Sequence, residues 1–168
     1  MEMQTLFQQV EKLKPEMIST LMQLIRIPAI GPENGGEGEY KKAQALIQLL
    51  SEVGFDKIDQ YDAIDPRVPS GLRPNIVAYL NGEISRPRLW IVTHLDVVPS
   101  GEEALWTVTK PFEPVVKDGC IYGRGSEDNG QSLVASIYAA KALKLLGVKP
   151  KRTLALAFVS DEEQGSTM

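Results

Sequence analysis

Apolar residues recur at helical spacing in three parts of the chain. The pattern predicts helices within residues 3–27, 43–50 and 133–146. In the first of these, Pro15 either opens a second helix or kinks a long one. Gly54 is a suitable stop for the second helix, because glycine adopts the left-handed conformation that often follows a helix.

Four other stretches are predicted to be strands. Residues 57–61 and 75–80 are short candidates, separated by a loop that contains Pro66, Pro69, Gly71 and Pro74. The runs 89–93 and 153–159 are continuously apolar, which is typical of strands buried on both faces. With a helix between them, these two runs predict a parallel crossover unit. The expected fold class is α/β, with helices packed on a mainly parallel mixed sheet.

Composition narrows the class of protein. The 168 residues are 43% hydrophobic and 24% charged, as in a globular domain, and the net charge of -4 disfavours a nucleic-acid-binding face. No apolar stretch approaches the roughly 20 residues of a membrane span, and no signal peptide is visible. The single cysteine, Cys120, is predicted to be a buried strand residue. It has no second cysteine with which to form an intrachain disulfide, which suits a reducing cytoplasm.

A histidine and an aspartate directly follow the predicted strand 89–93. In open α/β sheets, functional groups gather beyond the carboxyl ends of strands. In the sequence His94-Leu95-Asp96, both polar side chains can point to one side, since alternate residues share a face. The imidazole can bind a metal and the carboxylate can orient it, although an isolated pair of this kind is more often an ordinary surface feature.

Asp128 lies in a glycine-rich turn in front of the third predicted helix. Three glycines within residues 123–130 indicate a tight backbone. The two oxygens of a carboxylate there can each hold a cation, whereas the plainer interpretation is an acidic helix N-cap. A phosphate-binding loop is disfavoured, because Asp128 stands where the GxGxxG pattern requires its last glycine.

Two adjacent carboxylates, Glu162 and Glu163, follow the predicted strand 153–159. Neighbouring side chains point in different directions, so one can bind a metal while the other acts as a general base. Alone, such a pair would more often be a solvated acidic turn. The combination of three such places, each after a strand or before a helix, is more specific than any one of them.

These motifs together resemble those of the co-catalytic zinc peptidase family that includes succinyl-diaminopimelate desuccinylase, acetylornithine deacetylase, aminoacylase and glutamate carboxypeptidase. The residues that carry the resemblance are 93–99, Trp106 with 111–114, Asp118 and Gly119 with 121–125 and Asp128, and 161–166. The sequence departs from the family after Asp128, where Asn129-Gly130-Gln131 replaces a frequent Met-Lys-Gly.

The resemblance implies a role for each site residue. His94 would bind one metal ion, Asp128 would bridge two, and Glu163 would bind the second. Glu162 would be the general base that deprotonates the attacking water, and Asp96 would orient or tune its surroundings. The implied cofactors are two Zn²⁺ ions, which Co²⁺ or Mn²⁺ could replace. The implied reaction is hydrolysis of an amide bond in an N-acyl amino acid or small peptide.

The same resemblance implies that parts of the site lie beyond residue 168. The family supplies a further acidic ligand, a late histidine and an inserted lid domain that usually carries the dimer interface. The expectation is therefore a partial catalytic domain over residues 1–168, truncated after the Glu-Glu motif, inactive or nearly so alone, and part of a homo-oligomer.

Two other classes of protein compete with this interpretation. A non-catalytic α/β binding or interaction module would keep the fold but lose the ligand side chains, and all three are present here. A nucleotide-binding domain is disfavoured by the failed glycine spacing.

Overall fold

Residues 3–166, the part of the chain that the computed structural model describes, form three α-helices and six strands. The helices are α1 (Met3–Ile25), α2 (Tyr40–Val53) and α3 (Ser132–Leu145). The strands are β1 (Lys57–Ile64), β2 (Leu72–Leu80), β3 (Ile84–His94), β4 (Val115–Lys117), β5 (Cys120–Tyr122) and β6 (Arg152–Val159). None of these helices is both long and apolar enough to cross a bilayer.

The three predicted helices are confirmed. Pro15 lies inside α1, so the first of them is one long helix rather than two. Helix α2 ends where Gly54 adopts φ 79°, and the backbone N–H of Gly54 donates to the carbonyl oxygens of Leu50 and Ser51. A side chain at this left-handed position would be strained, which explains why a glycine stands there.

The main sheet is mixed and has the strand order β1-β2-β6-β3. Strands β3 and β6 are parallel neighbours, as the crossover pattern predicts, with α3 between them in the chain. Strand β2 is antiparallel to both β1 and β6, so among these four strands the parallel pairing is the minority and "mainly parallel" does not describe them. The short connection 65–71 accounts for one of these antiparallel pairs, because a parallel pair needs a longer crossover. Strands β4 and β5 form a separate antiparallel hairpin.

The core lies between the three helices and one face of the sheet. Alternate residues of β2 face the helices, and those between them face the other side. The core side chains from the helices include Leu24, Leu46, Leu50 and Ile137, and those from the sheet include Ile76, Ala78, Leu156 and Phe158. The opposite face carries a smaller cluster of Val77, Tyr79, Ala155 and Ala157.

Three details differ from the sequence expectations. Strand β3 is not buried on both faces: Val92 is 63% exposed and Trp90 49%. Both pair with residues of the cluster on the face opposite the helices, and β3 is an edge strand among the described residues, so little covers them. Cys120 is exposed, since its strand β5 belongs to the small hairpin rather than the core sheet. Pro74 lies within β2 opposite Asp62, and not in the preceding loop.

Candidate metal centre

The polar residues predicted from sequence gather where the parallel strands β3 and β6 end. His94 is the last residue of β3 and pairs in parallel register with Val159, the last residue of β6. Both strands therefore end at the same place, and the turn that carries Glu162 and Glu163 begins beside His94. Asp128 reaches the same place from the irregular helical segment Ser126–Gln131 in front of α3.

The two ring nitrogens of His94 have different partners. Nδ1 lies 3.0 Å from the backbone carbonyl oxygen of Asp96, which can only accept, so Nδ1 carries a proton and donates it. Nε2 then faces Oδ1 of Asp128 at 3.0 Å. When the imidazole is neutral and its proton is on Nδ1, Nε2 of His94 and Oδ1 of Asp128 are both hydrogen-bond acceptors. Their close approach therefore requires either a second proton on His94 or a cation between them.

The charges around His94 favour its protonated form when no cation is bound. Burial of the imidazole is the strongest single influence and lowers its pKa. The hydrogen bonds with Asp96 and Asp128 outweigh burial and raise the pKa from 6.5 to about 9. A proton and a metal ion thus compete for the same nitrogen of His94, as expected of a metal ligand.

His94, Asp128 and Glu163 form one close cluster of possible metal ligands. One ligand atom from each residue lies within 4.8 Å of those of the other two. Burial, followed by the negative charge of Asp128, raises the pKa of Glu163 above its ordinary value. A cation would relieve this repulsion, and one imidazole with two carboxylates is a donor set that suits Zn²⁺. These three residues therefore fit a metal ion.

Asp96 connects two of the three predicted motifs. It is buried, and its carboxylate accepts hydrogen bonds from the backbone N–H groups of Glu162 at 3.2 Å and Glu163 at 2.9 Å. Its Oδ1 also lies 3.5 Å from Nδ1 of His94. Burial alone would raise the pKa of Asp96, but the hydrogen bonds from His94, Glu163 and Glu162 prevail and lower it. Asp96 is thus held as a carboxylate behind the ligands.

Glu162 is the fifth predicted site residue, and it lies beside the ligand triad. Its Oε2 is 3.8 Å from Nε2 of His94, and about half of its side chain is exposed. The structure thus brings all five predicted residues together. Asp128 does not cap a helix in the way the plainer interpretation required, because its carboxylate contacts His94 and the segment has no side-chain cap.

Glycine allows the Asp128 segment to approach closely. Gly125 has φ 79°, and a Cβ there would lie 2.6 Å from Cγ1 of Val97. A Cβ on Gly130 would lie 2.4 Å from the carbonyl oxygen of Gly125. The predicted tight backbone in this glycine-rich turn is therefore confirmed, and it brings Asp128 next to His94.

Sequence reasoning missed Lys42, a buried cation beneath the site. Lys42 of α2 donates from Nζ to the carbonyl oxygen of Leu95 at 3.1 Å. Burial is the main influence and lowers its pKa to about 8, although Asp96 and Glu39 act in the opposite direction. Its spacing could have indicated that it is buried, because Lys42 is four residues before Leu46 and so lies on the apolar stripe of α2.

Comparison with known proteins agrees with this geometry. Residues 90–168 match the family model described as Peptidase family M20/M25/M40. An uncharacterized metallohydrolase from Methanocaldococcus jannaschii is 42% identical over 159 residues, which are 90% of this chain and 37% of that protein. The resemblance stated from the motifs is therefore confirmed as one to metallopeptidases of this family, with the family model matching residues 90–168.

Two solved structures share the fold. The di-peptidase Dug1p from Saccharomyces cerevisiae is 28% identical with a TM-score of 0.83, over 99% of this chain and 36% of its own. The M20 family metallo-carboxypeptidase Sso-CP2 from Sulfolobus solfataricus is 26% identical with a TM-score of 0.75, over 90% of this chain and 32% of its own. The chain thus spans less than two fifths of the length of these relatives.

Proposed function

We propose that this chain, which carries a Peptidase family M20/M25/M40 domain over residues 90–168, is the N-terminal part of the catalytic domain of a metal-dependent amide hydrolase. The observation that supports this most strongly is the convergence of His94, Asp128 and Glu163 within 4.8 Å. Relatives described as a metallohydrolase, a di-peptidase and a metallo-carboxypeptidase share the fold and sequence around it. The proposed substrates are N-acyl amino acids or small peptides.

The proposed cofactor is a pair of Zn²⁺ ions. His94 and Glu163 would hold different ions and Asp128 would bridge them. When bound, the ions supply positive charge that polarises an amide carbonyl and acidifies water. The chain's own residues prepare that chemistry: the carbonyl oxygen of Asp96 fixes the His94 tautomer, so that Nε2 is left to bind metal.

Glu162 is the proposed general base. Its carboxylate lies next to His94 but is half exposed, so it can receive a proton from water and release it to solvent. Its backbone N–H donates to Asp96, which fixes the main chain through a hydrogen bond that does not involve the Glu162 carboxylate. Glu163, one residue further, is bonded to the same carboxylate and is proposed as a ligand.

Cobalt binding by the adjacent pair of glutamates tests this proposal. Co²⁺ titration of residues 1–168 is followed by visible absorption in the wild type, Glu163→Gln and Glu162→Gln. We expect Glu163→Gln to weaken binding by at least about tenfold, because a charged ligand is lost, and the isosteric control Glu162→Gln to stay within about threefold. Absence of Co²⁺ binding by the wild type, or equal losses in the two variants, would refute the assignment.

Residues 1–168 alone are proposed to have little or no hydrolytic activity. Among the described residues the cluster offers three ligands, and a pair of zinc ions sharing one carboxylate needs more. The relatives that share this fold are more than twice as long. The test is an assay of this chain on N-acyl amino acids and dipeptides with added Zn²⁺ or Co²⁺. Turnover that disappears in Glu162→Ala would overturn the proposal of inactivity.

A further inference from the structure

A buried guanidinium joins three distant parts of the chain behind the site. Arg73 of β2, Glu39 before α2 and Asp161 after β6 are each 0% exposed. Arg73 donates from Nε and Nη2 to the two carboxylate oxygens of Glu39, at 3.0 and 2.5 Å. Its remaining terminal nitrogen, Nη1, donates to Oδ1 of Asp161 at 2.9 Å. The fork to Glu39 fixes the plane of the guanidinium, and this directs Nη1 at Asp161.

Asp161 begins the turn that carries the two proposed functional glutamates. Its φ of 68° is a left-handed conformation that costs energy for most residues and is tolerated best by Gly, Asn and Asp. The preceding residue is also bonded to β2: the Ser160 backbone N–H donates to Oδ1 of Asn75 at 3.0 Å, and its hydroxyl donates to the Pro74 carbonyl oxygen at 2.7 Å. Consecutive residues of β2 therefore hold consecutive residues of the turn.

We infer that Arg73 is a positioning residue of the active site, acting through Asp161 to hold the Glu162–Glu163 turn against Asp96. The functional meaning of this inference depends on the proposed function, since Glu162 and Glu163 matter chemically only if they act as base and ligand. Two anchors then fix the turn. Asp96 binds the backbone N–H groups of both glutamates, and Arg73 binds the side chain of the residue before them.

Three variants distinguish the effect of the Arg73–Asp161 contact from the effect of the left-handed backbone conformation at residue 161. Asp161→Gly keeps the left-handed φ accessible but removes the carboxylate. Asp161→Asn keeps both the conformation and an acceptor oxygen for Arg73, so it is the conservative control. Arg73→Lys keeps the positive charge but loses the fork, and it leaves residue 161 unchanged.

Amide hydrogen exchange of residues 1–168 by NMR measures the result. We expect Asp161→Gly and Arg73→Lys to speed exchange at the Glu162 and Glu163 amides by about tenfold or more, as expected for loss of a charge-assisted hydrogen bond. Asp161→Asn should stay within about threefold. The amides of Leu156 and Ala157 in β6 should change little in all three variants, because the effect is local.

Three outcomes would overturn the inference. One is unchanged exchange at Glu162 and Glu163 in Arg73→Lys, which would assign any Asp161→Gly effect to glycine flexibility alone. The second is equal acceleration in β6, which would mean that the cluster only stabilises the fold. The third is a failure of Asp161→Asn to retain protection. Wild-type Co²⁺ binding is scored separately: its absence would refute the metal centre, whereas the exchange pattern alone decides whether Arg73 holds the turn.

Discussion

The carboxylate of Asp96 accepts a hydrogen bond from the backbone N–H of Glu163 at 2.9 Å, so a residue after β3 fixes the main chain of a residue after β6. The adjacent N–H of Glu162 donates to the other oxygen of the same carboxylate. Asp96 is thus bound through both oxygens, and the ends of the two parallel strands are joined at the proposed metal centre. This arrangement makes Asp96 the natural first target for substitution.

Asp96→Asn is expected to weaken metal binding without removing a proposed ligand. One oxygen becomes an NH₂ group, which cannot accept from a backbone N–H and would face that donor instead. We expect Co²⁺ affinity to fall by about 10- to 100-fold, the usual effect of losing a group that orients ligands. Titration of residues 1–168 near neutral pH measures this. The matched control is Asp118→Asn, an exposed position that should bind Co²⁺ as the wild type does; unchanged affinity in Asp96→Asn would contradict the prediction.

Lys42 should make stability increase with pH in a defined range. Its pKa is about 8 in the folded chain, against 10.5 for the ordinary side chain. Between these values the unfolded chain binds more protons, so the free energy of unfolding rises with pH. The total rise is about 3 kcal/mol if the whole difference in pKa is realised.

Urea denaturation of the wild type and Lys42→Met at several pH values from 7 to 10.5 isolates this contribution. The difference in unfolding free energy between the two proteins should be constant below about pH 7 and should shift in favour of the wild type above about pH 8. Lys144→Met, which removes a partly exposed lysine of α3, is the matched control for the loss of a lysine elsewhere in the chain. A difference that does not change with pH would contradict the assigned burial of the Lys42 charge.

Local periodicity predicted the three helices and the four strands of the main sheet, but it predicted neither the β4–β5 hairpin nor the exposure of β3. The helices and the β3–β6 parallel pair follow from apolar spacing, because that spacing depends on neighbours in sequence. Whether a strand is central or at an edge depends on which other strands pair with it. Val92 and Trp90 are as apolar as the residues of a buried strand, and nothing in the local pattern distinguishes the two cases.

The candidate site was predictable to a similar extent. His94, Asp128 and the Glu162–Glu163 pair were singled out because each follows a predicted strand or precedes a helix, and the carboxyl ends of strands meet at one end of a sheet. The choice of Glu163 as the ligand and Glu162 as the base came from the family resemblance. Arg73 was not found, since its partners Glu39 and Asp161 are 34 and 88 residues away. Arg73 falls in the predicted loop before strand 75–80, where a charged residue suggests exposure to solvent, and only the tertiary structure shows that it is buried.

Core packing between α2 and the sheet should dominate the stability of this chain. Leu46 is 0% exposed in the main core. Leu46→Ala is expected to lower the free energy of unfolding by about 2–5 kcal/mol, because it removes buried methyl groups and leaves a cavity. Leu145→Ala, at an end of α3 where the side chain is 57% exposed, is the control and should change it by less than about 0.5 kcal/mol. Equal effects in urea denaturation would contradict the packing.

The two edges of the main sheet differ in their resistance to pairing. Strand β1 carries charged side chains, including Lys57, Asp59 and Asp62, of the kind that discourages association of sheet edges. Strand β3 carries Arg86, Pro87 and Arg88 in its first half, but its second half exposes Trp90 and Val92. We therefore expect residues 1–168 to self-associate through β3 as the protein concentration rises.

Val92→Lys should reduce this self-association, because a charge in the exposed apolar half of β3 opposes both apolar contact and strand pairing. Sedimentation velocity over a range of concentrations measures the distribution of species. Val116→Lys is the matched control: Val116 is also an exposed valine, but it belongs to the small β4–β5 hairpin, so its substitution should leave association unchanged. A wild-type monomer at all concentrations, or an equal reduction by both lysine variants, would show that β3 is not the surface through which the chains associate.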